Sequence, residues 1–114
     1  MTDYNERFLA SEIIREKVFE FYGEEIPYST TVEIEEFKER EAGKDFIKAI
    51  IYVERESQKG IIIGKDGKAI KHVGLIAREE IEKEIGRKVY LELLVKVIEK
   101  WRKDKSKLYK LGYK

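Results

Sequence analysis

Gly60-Ile61-Ile62-Ile63-Gly64-Lys65-Asp66-Gly67-Lys68-Ala69-Ile70-Lys71 is the stretch on which the reading of this chain turns. An apolar run meets a Gly-x-x-Gly turn and leaves into a pattern studded with lysines. Ser57 predicts the N-cap of a short helix running to Ile63. After Gly67, residues Ile70, Val73, Ala77, Ile81 and Ile85 recur at spacings of three and four, which marks one buried helical face. The local reading is helix, glycine turn, helix. Without a Cβ, glycine lets the backbone bend sharply and come close to a ligand. Amides that open the second helix carry partial positive charge, which suits phosphate. Such a turn beside an apolar groove is a device for clamping a nucleic-acid backbone.

Other phosphate loops do not fit. A Walker A loop needs G-x-x-x-x-G-K-[ST], but Asp66 follows Gly64-Lys65 and Lys59 stands where the first glycine belongs. The dinucleotide pattern G-x-G-x-x-G is absent as well.

Composition narrows the class further. At 114 residues the chain reads as one domain, residues 1–114, with room for a modest core. It has no cysteine, so disulfides and thiolate zinc sites are excluded, as expected of a cytoplasmic protein. No apolar segment reaches membrane-spanning length. Charged residues make up 41%, nearly balanced in sign, and this Glu/Lys enrichment is the pattern of heat-adapted proteins. The net charge of +1 conceals segregation: residues 1–56 hold 8 basic and 15 acidic side chains, residues 96–114 hold 8 and 2. The turn region, 57–72, sets Lys59, Lys65, Lys68 and Lys71 against Asp66 alone. Positive charge gathered at a glycine turn and a tail is the distribution of a nucleic-acid binder.

The rest of the chain supplies the framework. Residues 4–22 predict an amphipathic helix with Ala10, Ile14, Val18 and Phe21 or Tyr22 on one stripe, Leu9 and Ile13 beside it, and Gly23 as its stop. After Pro27, Val32 and Ile34 alternate with Glu33 and Glu35 in a first strand; 42–45 is a turn. Phe46 to Glu54 predicts a second strand with Ile47, Ala49, Ile51 and Val53 on one face. A third strand sets Val89, Leu91, Leu93, Val95 and Val97 against Tyr90, Glu92, Leu94 and Lys96, and a basic helix from about Trp101 to Leu111 follows. The order is α-β-β-α-α-β plus a C-terminal helix. It implies an α+β fold, a three-stranded mixed sheet with helices on one face and the second and third strands parallel.

Enzymatic readings find little support. His72 is the one histidine, on a helix position that reads as solvated, so zinc is not expected. Glu33, Glu35, Glu36, Glu39 and Glu41 crowd one strand and its turn, where a charged edge that resists strand pairing explains them better than a metal site. Trp101, Tyr109 and Tyr113 interleave with lysines and read as anchors for the last helix.

Several segments in order carry a family resemblance. They are 2–3, 7–17, Pro27-Tyr28-Ser29, Val32-Glu33-Ile34-Glu35, Val53-Glu54-Arg55, Gln58-Lys59, Ile63-Gly64-Lys65-Asp66-Gly67, Leu91-Glu92-Leu93, Val95-Lys96-Val97, Trp101 and Leu111-Gly112-Tyr113. Nearly end to end, the chain resembles the C-terminal type II KH domains of the bacterial ribosome-assembly GTPases of the Era family. The resemblance implies a segment without the family's GTPase domain, hence no catalysis and no cofactor. It implies single-stranded RNA as partner, the 3′ end of small-subunit ribosomal RNA, with the small ribosomal subunit and the GTPase domain as further partners and no DNA. A cytoplasmic location follows, with peripheral membrane association of the parent protein. Gly64, Lys65, Asp66 and Gly67 match the clamp loop, with Ile61, Ile62, Ile63 and Lys68 to Lys71 as groove walls and the second strand as apolar floor. Asp66 departs from the basic or small residue common there, and is expected either to be offset by Lys65 and Lys68 or to cap the following helix. The alternative reading is a protein-docking domain that uses its basic C-terminal helix.

Overall fold

Ile47, Ala49, Ile51 and Val53 share one face of a central strand, and all four are buried. They form the floor of the core in a structure, a computed structural model, that describes residues 3–98. The elements run α1 (Asp3–Tyr22), a 3-10 turn (Gly23–Glu25), β1 (Thr31–Lys38), β2 (Asp45–Val53), α2 (Glu56–Ile63), a 3-10 turn (Lys65–Gly67), α3 (Lys68–Ile85) and β3 (Val89–Val97). The α-β-β-α-α-β order expected from the sequence is the one observed; the helix expected near 101–111 lies outside the described residues.

The sheet order is β1-β2-β3. β1 runs antiparallel to β2, and β3 runs parallel to it with Asp45 opposite Val89 and Val53 opposite Val97. A parallel neighbour needs a long crossover, and α2 with α3 supplies it. All three helices pack on the face that carries Ile47 and its partners. From α1 that face receives Ala10, Ile13, Ile14, Val18 and Tyr22, from α3 Val73, Ala77 and Ile81. Each fully buried aliphatic side chain contributes about 1.5–3 kcal/mol relative to exposure. Of the two candidates that end the α1 stripe, Tyr22 is buried and Phe21 is exposed.

β1 departs from simple alternation. Its register shifts between Ile34 and Glu36, so Ile34 faces Ala49 and Phe37 faces Ile47. This bulge puts both apolar residues on the core side despite their spacing of three, which a regular strand would forbid. Arg7 of α1 donates to the Ile34 carbonyl at 3.0 Å and ties the helix to the bulge. Glu35 turns to Lys48 at 3.3 Å, Glu36 to Lys38 at 3.6 Å and Glu39 to Arg87 at 3.2 Å. These carboxylates are a charged edge, and among the described residues no cluster of His, Asp and Glu could hold a metal ion.

Candidate nucleic-acid interface

The site is built from α2 outward. Its N-cap lies two residues before the expected Ser57: it is Arg55, and Gln58 Oε1 accepts from the amides of Glu54 at 3.0 Å and Arg55 at 3.1 Å. Its last turn is fixed from below, where the buried Tyr22 hydroxyl donates to the Ile62 carbonyl. Burial pushes that phenol up to about 12. Ile62 itself is fully buried, so it cannot be the groove wall expected of it; Ile63 packs against the core and Ile61 is exposed.

Gly64 then takes φ 77° and ψ 176°, a conformation essentially reserved for glycine. A Cβ there would lie 2.6 Å from Ala69 Cβ, so the turn packs directly on the first turn of α3. Asp66 (φ 56°) and Gly67 (φ 73°) are left-handed too. Asp is among the few side chains that tolerate this region, which gives Asp66 a backbone reason to be there. The expected capping role is not observed: Gly67 is the N-cap of α3 and no side chain caps it. Gly67 donates to the Gly64 carbonyl at 3.1 Å and the Lys68 amide to the carbonyl of Lys65. Two amides are thus used by the turn itself, and the Lys65 side chain, exposed at its apex, becomes the main cation on offer.

One helical turn further on, a groove of about 470 Å³ opens between α3 and β3, lined by Ile70, Lys71, Gly74, Leu75, Arg78, Lys44 and the Val89–Leu91 and Leu93 stretch. The sequence reading makes the second strand its floor. It is instead central and covered, and the edge strand β3 takes that place. Lys71 lines this groove, while Lys68 is exposed on the first turn of α3. Arg78, Tyr90 and Lys44 were not anticipated. Lys71, Gly74, Leu75 and Arg78 do form a second i, i+3, i+4, i+7 stripe beside the core stripe, and that was the signal available.

The far end of the groove is held by ions. Glu82 Oε2 accepts from Arg78 at 3.0 Å and from the Val89 amide at 2.8 Å. The Val89 amide first, and Arg78 after it, hold the Glu82 carboxyl below the usual carboxylate range. Arg87 meets Glu6 at 2.8 Å, Asp45 at 2.7 Å and Glu39 at 3.2 Å, and its guanidinium is raised further above its ordinary range by Glu6 and Asp45. His72, one turn past the glycine motif, is exposed with its ring 5.0 Å from that of Phe21.

Comparisons with known proteins agree with this geometry. Residues 25–102 match a family model described as a KH domain. The chain is 56% identical over 115 residues to GTPase Era of Thermotoga maritima and 55% identical over 114 residues to GTPase Era of Geobacter metallireducens. It is covered almost completely in both, yet spans only 38% of the length of either relative. Two solved structures superpose with a TM-score of 0.80 at 46% identity, covering 94% of this chain and 36% of theirs. One is an Aquifex aeolicus Era variant bound to GDP·AlF4−, the other Era in complex with MgGDPNP and nucleotides 1506–1542 of 16S ribosomal RNA. From the glycine turn, the mixed sheet and these matches, the chain belongs to the KH domain family, and the part of the Era GTPases it corresponds to is their KH domain.

Proposed function

We propose that this chain is a non-catalytic module that binds single-stranded RNA, and that within an Era-type protein it holds the 3′ end of small-subunit ribosomal RNA during assembly of the small subunit. The observation that carries the reading is the position of the Gly64–Gly67 turn, with Lys65 exposed, one helical turn from the mouth of the α3/β3 groove. The similar Era complexed with 16S nucleotides supports the choice of RNA. Phosphates would lie on Lys65, with Lys68 and Lys71 alongside, while Ile70, Leu75 and the edge of β3 receive splayed bases. Base edges then supply specificity and phosphates the salt-sensitive affinity. The GTPase domain of such a protein is the natural intramolecular partner, and the cytoplasm its compartment. Among the described residues no helix is long and apolar enough to cross a membrane.

Fluorescence anisotropy with a labelled single-stranded RNA at two salt concentrations tests this. Lys65→Asp should weaken binding about tenfold, near 1.4 kcal/mol, and lower the salt slope by about 0.7 for each phosphate no longer neutralised. Binding that ignores the substitution would move the site from the glycine turn to the basic C-terminal segment, and no RNA binding by either form would overturn the reading and return the chain to the protein-docking alternative.

A further inference from the structure

Tyr90 belongs to two surfaces at once. It lines the α3/β3 groove at the end away from the glycine turn, together with Lys44. Its ring also stacks on Phe46 across the β2–β3 pair, with centroids 5.8 Å apart and planes 21° from parallel. That pair lies on the sheet face opposite the helices. The Arg40 guanidinium sits 5.8 Å above Phe46, within cation–π reach. Tyr90 is 55% exposed and Phe46 half-buried, so this is not a core pairing.

The surroundings are ordered. Asp45 Oδ1 accepts from the Arg40 amide at 3.1 Å, and the Asp45 amide donates to the Lys88 carbonyl at 3.0 Å. Through Asp45, Arg87 fixes the loop that presents both Arg40 and Lys44. Of the carboxylates on this side, Glu35 and Glu36 meet lysines, Glu39 meets Arg87 and Glu92 interacts with Lys48, while Glu41 is exposed in the same loop as Lys44. Exposed Arg40 and Lys44 and a ring with an open face stand together at this end of the groove.

We infer that Tyr90, backed by Phe46 and Arg40, is a stacking subsite for a nucleobase beyond those held in the groove, with Lys44 taking the intervening phosphate. The inference rests on the RNA reading above, because the strand reaches Tyr90 only by lying in the groove. It adds a subsite on the opposite face of the sheet, reached around the β3 edge. Aromatic stacking tolerates any base, so the subsite lengthens the site without imposing sequence.

The test uses the full 114-residue chain and two single-stranded RNAs. One has about four nucleotides, the length a GXXG groove clamps, and the other roughly ten, within the range of extended single-strand sites. Native chain should prefer the longer RNA. Tyr90→Ala should lose about tenfold on it, within the range that aromatic truncation removes from a stacked base, and distinctly less on the shorter, so that the preference for the longer RNA falls. Tyr90→Phe keeps the ring and should bind both as the native chain does. Lys65→Asp should weaken both. If Lys65→Asp weakens both RNAs while Tyr90→Ala leaves the longer unaffected, the subsite is overturned and the groove stands. If Tyr90→Phe fails as badly as Tyr90→Ala, the hydroxyl matters and stacking is overturned. No RNA binding by the native chain overturns groove and subsite together.

Discussion

The two ends of α3 are each marked by a left-handed glycine, Gly67 at φ 73° and Gly86 at φ 76°, and they treat charge in opposite ways. At the C-terminal end Arg78 and Arg87 are engaged within the fold. Arg78 meets Glu82, and Arg87 meets Glu6, Asp45 and Glu39. At the N-terminal end Lys65, Lys68 and Lys71 are exposed, and among the described residues no ion pair holds them. Similar composition and similar caps therefore serve different purposes. Cations with partners inside the fold tie α1, β2 and α3 together, whereas cations without them are available to a polyanion. The comparison also explains why a lysine count alone says little: what each cation meets separates structure from function.

Breaking the C-terminal end should have the largest effect, and chiefly on stability. Arg87→Ala leaves Asp45, which is 2% exposed, without its charged partner. Removing one side of a buried ion pair costs about 3–5 kcal/mol, and because Arg87 is itself partly exposed the loss should fall near the lower limit. Affinity for a short RNA in the groove should stay within about a factor of two, since distant sites act additively. Denaturant unfolding and anisotropy on the same variant check both halves. A parallel fall in affinity would show that the two ends are coupled and that the division drawn above is wrong.

The anchor beneath the N-terminal end gives a smaller effect with a pH signature. An unfolded tyrosine ionises near pH 10, whereas the Tyr22 phenol is pushed up to about 12 by burial. The folded state thus keeps its proton longer than the unfolded one. The contribution of Tyr22 is full below pH 10 and is lost as the pH rises from there to about 12. Tyr22→Phe removes the hydrogen bond to the Ile62 carbonyl and should cost about 1 kcal/mol at neutral pH. Because that rise outweighs the hydrogen bond, the difference between native and variant melting temperatures should close between pH 10 and about 12. A difference that persists unchanged to that pH would mean that the hydroxyl does not supply it.

Much of the fold is legible in the sequence because periodicity and burial share a cause. The α3 stripe from Val73 to Ile81 and the alternation in β2 can only be buried on one face, so element order and sheet layout follow. The bulge at Glu35 is not legible, since its signal is a break in alternation, which in a sequence looks like a strand ending. Ile62 illustrates another limit. Three consecutive isoleucines on a helix point in three directions, and the direction of each depends on where α1 docks. Groove residues such as Arg78 and Tyr90 depend on which strand lies beside α3, a tertiary fact that no local pattern encodes. Asp66 misleads for a further reason: a carboxylate draws attention to its charge, while the structure gives it a place for its backbone.

That last point yields the smallest effect and the sharpest question about the exposed end. If Asp66 is there for its left-handed conformation, Asn should serve as well, because it tolerates the same φ. Asp66→Asn should leave the melting temperature unchanged and remove one negative charge from the turn. A carboxylate 4 Å from a phosphate repels it by about 1 kcal/mol in water, so full relief would tighten RNA binding about fivefold. Asp66→Ala also removes the charge, but costs about 1–2 kcal/mol for a left-handed Cβ. Tighter binding by Asn, with Ala destabilised, would show a residue kept for its backbone at the expense of affinity. Equal binding by native and Asn would mean that the carboxylate points away from the strand. Weaker binding by Asn would contradict the contrast between the two ends, since a carboxylate would then be helping to hold the ligand where the contrast assigns that role to cations alone.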